Sequence, residues 1–281
     1  MPLVLDRMEI EDYGGASPKR LAAAIHQQLG AVAGAIPVTD IAFALDIVEI
    51  REEPLVHFEG ALVTTAERAS GSILVNRNSN RQRRRYSVGH ELLHFLNPLH
   101  RQTVDGHFEC DRSDMALGGS PSRANLTQHQ LQEIQANRFS IELLAPETRM
   151  RRHLGGFPDL AHVLAAAGDL DISKEAAARR YAELRGEPLA VMFGKGNVVR
   201  YPVWNEAFPI LLLASGADFP RGHMRNEASE AVSTMDEVDP SLWLKWPAKH
   251  RLYTQTHFQA DGHSMTLLLA ELVSDDPEAE R

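Results

Sequence analysis

RQRRRYSVGHELLHFLNP occupies residues 81–98. The apolar positions Val88, Leu92, Leu93, Phe95 and Leu96 recur at helical spacing. Asn97-Pro98 closes the run, since proline cannot continue a helix and disfavours helix in the residue before it. The spacing therefore predicts a helix over 81–95. His90 and His94 are four residues apart and so share one face, one turn apart, where two imidazoles can reach a single metal ion. Glu91 directly follows the first histidine, completing the pattern His-Glu-x-x-His. A zinc-bound water has its pKa lowered to about 7, so a carboxylate beside it can take its proton. The bland alternative is a helix whose histidines merely pack. That would bury two imidazoles and a carboxylate on one helix without a partner, which is costly.

Working outward, strand-like runs precede this helix at 46–51 (DIVEIR), 55–64 (LVHFEGALVT) and 72–76 (SILVN). The last two suit an antiparallel pair, and 72–76 is read as an edge to which an extended peptide adds as an extra strand. Earlier still, 18–33 and 38–45 read as helices. Downstream, 101–125 is polar, holds Cys110 and reads as an irregular loop. A helix follows over 127–144 and stops at Ala145-Pro146. Two short helices are expected around Gly168-Asp169 within 158–186. The texture changes near 188, with a β-hairpin around Gly194-Lys195-Gly196, a strand over 266–273 and a frayed tail from 274. The expected domains are 1–150, 151–187 and 188–281.

The bulk properties suit a globular protein. Of 281 residues, 43% are apolar and 24% charged, enough to bury a core in one large or two to three small domains. A net charge of −9 argues against a protein built to coat nucleic acid or an anionic membrane. The single cysteine, Cys110, excludes an intrachain disulfide. The opening MPLVLDRMEIEDYGG is too acidic for a signal peptide, and no run of about 18 apolar residues predicts a membrane span. A cytoplasmic location is the expectation.

A catalytic zinc needs a third protein ligand and an open position. Candidates downstream are His100, His107, Cys110, His129 and Glu133. Glu133 is favoured modestly: a glutamate on the inward face of a helix carrying Leu131, Ile134, Phe139 and Leu143 needs a partner, and a metal supplies one.

Taken together, RRRYSVGHELLHFL and the later EIQANRFSIELLAP resemble the ImmA/IrrE family of metallopeptidases. The second motif stands here as Glu133, Ala136, Asn137, Phe139, Leu143, Leu144 and Pro146, with Ser140 departing mildly from the family's small residue. The resemblance covers roughly 70–147, and no residue after 188 is carried over. It implies His90, His94 and Glu133 as zinc ligands, Glu91 as general base and Asn137 as a supporting residue. It also implies an α+β fold: a minimal zincin-like metallopeptidase domain, a helical helix-turn-helix-like segment and a C-terminal α/β sensor-like domain. Members typically cleave or inactivate helix-turn-helix repressors of the Xre type, so the implied partner is a protein substrate of that kind. The ligand types leave manganese or iron open beside zinc.

Other features divide between functional and plain readings. Tyr86, one turn before His90, is a candidate electrophile or a packing residue, and His107 and His129 are candidate donors. Arg77, Arg81, Arg83, Arg84 and Arg85 read mainly as a solvated helix start, or else as a dock for an acidic or DNA-bound repressor. Cys110 could ligate a resting zinc. Arg179, Arg180 and Arg185 could meet phosphates, though Ala176, Ala177 and Ala178 suggest packing, so direct DNA contact is the minor reading. The aromatic residues Tyr201, Trp204, Phe208, Trp243, Trp246 and Phe258 read as core rather than a ligand cage. The competing function is a non-proteolytic transcriptional regulator, or an antitoxin-like binding protein, with a structural or vestigial metal site. The sequence leaves the oligomeric state open.

Overall fold

The computed structural model describes residues 2–14, 17–56, 58–101, 107–111, 126–223 and 232–273. The chain falls into two compact units, each with one sheet. The first comprises Met1–Arg149 and Gly168–Ser173, the second Met150–Ala167 and Lys174–Arg281. The helical stretch 151–187 therefore does not form a third unit: residues 168–173 group with the first and the rest with the second. Its two helices are too short to bury their apolar stripes against each other alone. Among the described residues no helix is long and apolar enough to cross a membrane.

The first unit opens with three helices, α1 (Arg7–Gly14), α2 (Pro18–Leu29) and α3 (Val38–Ala44). Ser17 caps α2, and Gly30 ends it at φ 66°, short of the predicted residue 33. A four-stranded sheet follows, built of β1 (Ile47–Glu53), β2 (Phe58–Thr64), β3 (Gly71–Asn76) and β4 (His107–Asp111), in the order β1-β3-β2-β4. β2 and β3 are antiparallel, with Leu62 opposite Ile73. β1 runs parallel to β3. That pairing corrects the reading of 72–76 as an edge, because β3 has partners on both sides. An apolar run of this length tells that a strand is buried and not how many neighbours it has. β4 pairs with β2 inside the stretch expected to be an irregular loop. Residues 102–106 and 112–125 of that stretch, and the tail 274–281, lie outside the described residues.

Helix α4 (Arg81–Leu96) starts where Asn80 accepts the N–H of Arg83 at 2.8 Å, and it stops at Asn97. Every residue from Ser87 to Leu96 is buried, as expected for a helix covered on all sides. It packs against β2 and β3 and against α5 (Gln128–Leu144), which a Thr127–Gln130 capping box initiates. A short α6 (Glu147–Met150) follows.

The second unit contains α8 (Lys174–Leu184), five antiparallel strands and α7 (Leu160–Leu170) as far as Ala167, the last three residues of that helix grouping with the first unit. The strands are β5 (Leu189–Lys195), β6 (Val198–Trp204), β7 (Asp236–Val238), β8 (His250–Phe258) and β9 (His263–Leu272), in the order β6-β5-β9-β8-β7. The expected hairpin is β5–β6, but Gly194 and Lys195 lie in its ladder, and the turn falls at Gly196 (φ 55°) and Asn197. Ala190, Met192, Leu252, Leu268 and Ala270 on one sheet face pack under Phe208, Phe219 and Trp243. Of the aromatic residues expected in the core, Trp204 and Trp246 are instead exposed.

Candidate metal centre

His90 and His94 sit one turn apart on α4, both fully buried. Glu133 and Asn137 sit one turn apart on α5, also buried. The two helices approach closely because residue 89 is glycine. A Cβ there would lie 2.8 Å from Ser140 Oγ, which itself donates to the Tyr86 carbonyl at 2.8 Å. Ser140, the departure noted in the second motif, is thus a bond between the two helices.

The three sequence-predicted ligands come together. His90 Nε2 lies 3.0 Å from Glu133 Oε2, His94 Nε2 lies 3.3 Å from Glu133 Oε1, and the two Nε2 atoms are 3.2 Å apart. A cation held tetrahedrally at about 2.0–2.1 Å would space its ligand atoms about 3.3 Å apart. Among the described residues no other trio of His, Cys, Asp or Glu side chains converges in this way.

Hydrogen-bond partners assign the tautomers. Asn137 Oδ1 accepts the Tyr86 hydroxyl at 2.9 Å and lies 3.1 Å from His90 Nδ1, so that nitrogen carries the proton and donates. His94 Nδ1 faces His100 Nδ1 at 3.0 Å, while His100 Nε2 faces Gln135 Oε1 at 2.8 Å. Gln135 Oε1 can only accept, so His100 donates from Nε2 and accepts from His94 at Nδ1. Both histidines therefore turn bare Nε2 lone pairs inward, toward a carboxylate. Two lone pairs and an anion at 3.0–3.3 Å repel one another unless a cation lies among them. The donor set fits a metal ion.

Protonation states agree with this. Burial pushes His94 down to about 4 and His100 down to about 3, so both rings are neutral near pH 7.

Glu91 is fully buried, and its carboxylate lies against β2. Gly60 makes the room: a Cβ there would sit 2.6 Å from Glu91 Oε1. Sequence reasoning missed Gly60, although a glycine inside a strand pattern signals close approach. It also considered His100 only as a ligand. In the structure His100 stands behind His94, and no spacing rule announces that role. Tyr86 is engaged with Asn137 at the back of His90. His129 lies one turn before Glu133, part exposed, with Nδ1 3.7 Å from Glu133 Oε1. His107 and Cys110 stand on β4, paired through the backbone with Val63 and Gly60.

The arginines beside the site are engaged within the first unit. Arg81 and Arg85 pair with Asp171 at 2.9 and 3.2 Å, Arg83 with Glu59 at 3.6 Å and Arg84 with Glu52 at 3.2 Å. Arg77 donates to the Glu52 carbonyl at 2.8 Å. The arginines of α8 and its end are engaged within the second. Arg179 stacks over Tyr201, Arg180 is buried beside Glu183, and Arg185 donates to the Leu154 and Gly156 carbonyls.

These features define a two-unit α+β protein whose first unit carries a buried His-His-Glu group able to hold a metal ion. No family model matches the chain, and no curated protein does. Among solved structures it is similar to a Mycobacterium tuberculosis transcriptional regulator, over 97% of this chain and 82% of that one, with a TM-score of 0.56 and 14% identity. At that identity the likeness is one of fold.

Proposed function

We propose that the protein is a zinc-dependent metallo-endopeptidase of the ImmA/IrrE type, acting on a helix-turn-helix repressor of the Xre type. The observation that carries the reading is the inward convergence of two bare imidazole nitrogens and one carboxylate. The two motifs that resemble the family supply those three side chains. The likeness in fold to a protein described as a transcriptional regulator is in keeping with a role in transcriptional control.

Three protein ligands suit a catalytic zinc, since structural zinc sites normally close with four. Zinc held by this set would supply Lewis acidity to a water and to the scissile carbonyl. Glu91 takes a proton from the attacking water and returns it to the leaving amine nitrogen. Asn137 and His100 hold the ligand imidazoles in one tautomer. An extended substrate segment would pair with β4, which flanks β2 at the edge of the described sheet, in place of the expected 72–76.

The test is cleavage of a candidate repressor with and without a chelator, in native protein and in Glu91→Gln. Glu91→Gln should keep stoichiometric zinc and lose activity by about 10²–10⁴-fold, the usual share of a general base. A repressor left intact by the zinc-loaded native protein, yet released from its operator, would favour a second reading. In that reading the chain regulates by binding alone and the metal is structural.

A further inference from the structure

We propose that His100 is a positioning residue: it fixes the tautomer of the ligand His94, and Gln135 in turn fixes the tautomer of His100. The inference rests on the metal-binding reading of His90, His94 and Glu133, and extends it to side chains outside that trio.

A histidine can give a metal the Nε2 lone pair only while its proton sits on Nδ1. An acceptor at Nδ1 is the usual device, commonly a carboxylate, a backbone carbonyl or a water. His90 has such an oxygen in Asn137 Oδ1. At His94 the Nδ1 faces another imidazole nitrogen, His100 Nδ1, at 3.0 Å. An imidazole is a conditional acceptor. It accepts at Nδ1 only when its own proton is on Nε2, and Gln135 Oε1, 2.8 Å from His100 Nε2, enforces that state. The order of donation runs from His94 to His100 to Gln135.

The surrounding backbone is built to hold this chain. His100 is buried, and its ring lies 4.9 Å from that of His94. Arg68 donates to the carbonyls of Asn97 and His100, fixing the turn that follows Pro98. The His100 N–H closes that turn on the Asn97 carbonyl at 3.1 Å. Gln132 on α5 donates to the Arg101 carbonyl at 3.1 Å. One helix, α5, therefore supplies the ligand Glu133, the acceptor that orients His90 and the acceptor that orients His94 through His100.

The experiment measures zinc affinity by chelator competition, and the visible spectrum of the cobalt-substituted protein, in native chain, H100L, H100Q, Q135L and the H100L/Q135L double variant. H100L should weaken zinc binding by about 10–100-fold, the usual effect of losing an outer partner. H100Q, which restores a carbonyl acceptor, should recover part of that loss and move the cobalt bands back toward native. Q135L should weaken binding less than H100L. The double variant should bind no more weakly than H100L, because both changes cut one chain. Native-like zinc affinity in H100L overturns the proposal, as does full addition of the two losses. Should H100L fail to fold, native-like affinity in the half-buried Q135L overturns it. A native chain that binds no zinc refutes the metal reading itself, whereas a native chain that binds zinc tightly beside an unaffected H100L refutes only the role of His100.

Discussion

A methyl group at position 60 would land 2.6 Å from Glu91 Oε1 and 3.3 Å from its Cδ. Neither β2 nor the buried carboxylate can absorb that overlap without moving, and overpacking of this kind costs about 1–3 kcal/mol. Gly60→Ala should therefore displace Glu91 while leaving His90, His94 and Glu133 in place. The expected result is zinc bound at one equivalent with repressor cleavage reduced on the order of 10²-fold, the scale of a misplaced catalytic group. Full activity in Gly60→Ala would show that the Glu91 carboxylate does not need its observed position. Part of this site was legible in the sequence. His90, Glu91 and His94 share one helix, so local spacing alone puts them together. Glu133 stands on a second helix, so residue chemistry alone favours it only modestly, and the resemblance of the second motif is what singles it out. Gly60, His100 and Gln135 come from separate segments, and nothing periodic links them to the histidines.

The pairing of α4 with α5 sets how near Glu133 comes to the two imidazoles. Within that pairing Gly89 faces Ser140, whose hydroxyl bonds the Tyr86 carbonyl across the interface. Alanine in a helix interior is worth about 1 kcal/mol over glycine, yet here its methyl would push Ser140 Oγ out of that bond. In the native background the gain and loss should nearly cancel. With Ser140→Ala already made, Gly89→Ala should stabilise the first unit by about 1 kcal/mol. The coupling is measurable as a double-mutant cycle in urea, followed by helix circular dichroism. Additive effects would mean that the serine is not the obstacle. α4 and α5 were readable because each carries an apolar stripe between clear stop signals. Other elements were not. α1, in RMEIEDYG, has little apolar periodicity. The parallel β1–β3 pairing is a long-range choice. β8 buries Thr254, Gln255, Thr256 and His257, so its sequence lacks the apolar alternation that marks a strand.

At the scale of the whole chain, the two units can be followed separately. All three tryptophans, Trp204, Trp243 and Trp246, belong to the second unit, so tryptophan emission reports on that unit alone. Trp243 is buried and meets the His223 ring edge-on at 4.7 Å. His223 also stacks on Phe219, and its Nε2 lies 3.2 and 3.3 Å from the hydroxyls of Thr266 and Thr256. Burial pushes His223 down to about 4. In the unfolded chain a histidine takes its proton near 6.5. Between those values the unfolded state binds the extra proton and the folded state does not. Stability contributed by the neutral ring is thus complete above about pH 7 and is lost as pH falls from about 6.5 toward about 4. The melting temperature of the second unit, read from tryptophan emission, should fall through that window. His223→Gln, which keeps a polar side chain but cannot titrate, should flatten the fall while leaving the neutral-pH melting temperature within a few degrees. Equal pH slopes in both proteins would assign the acid sensitivity to some other group and leave His223 as a packing residue.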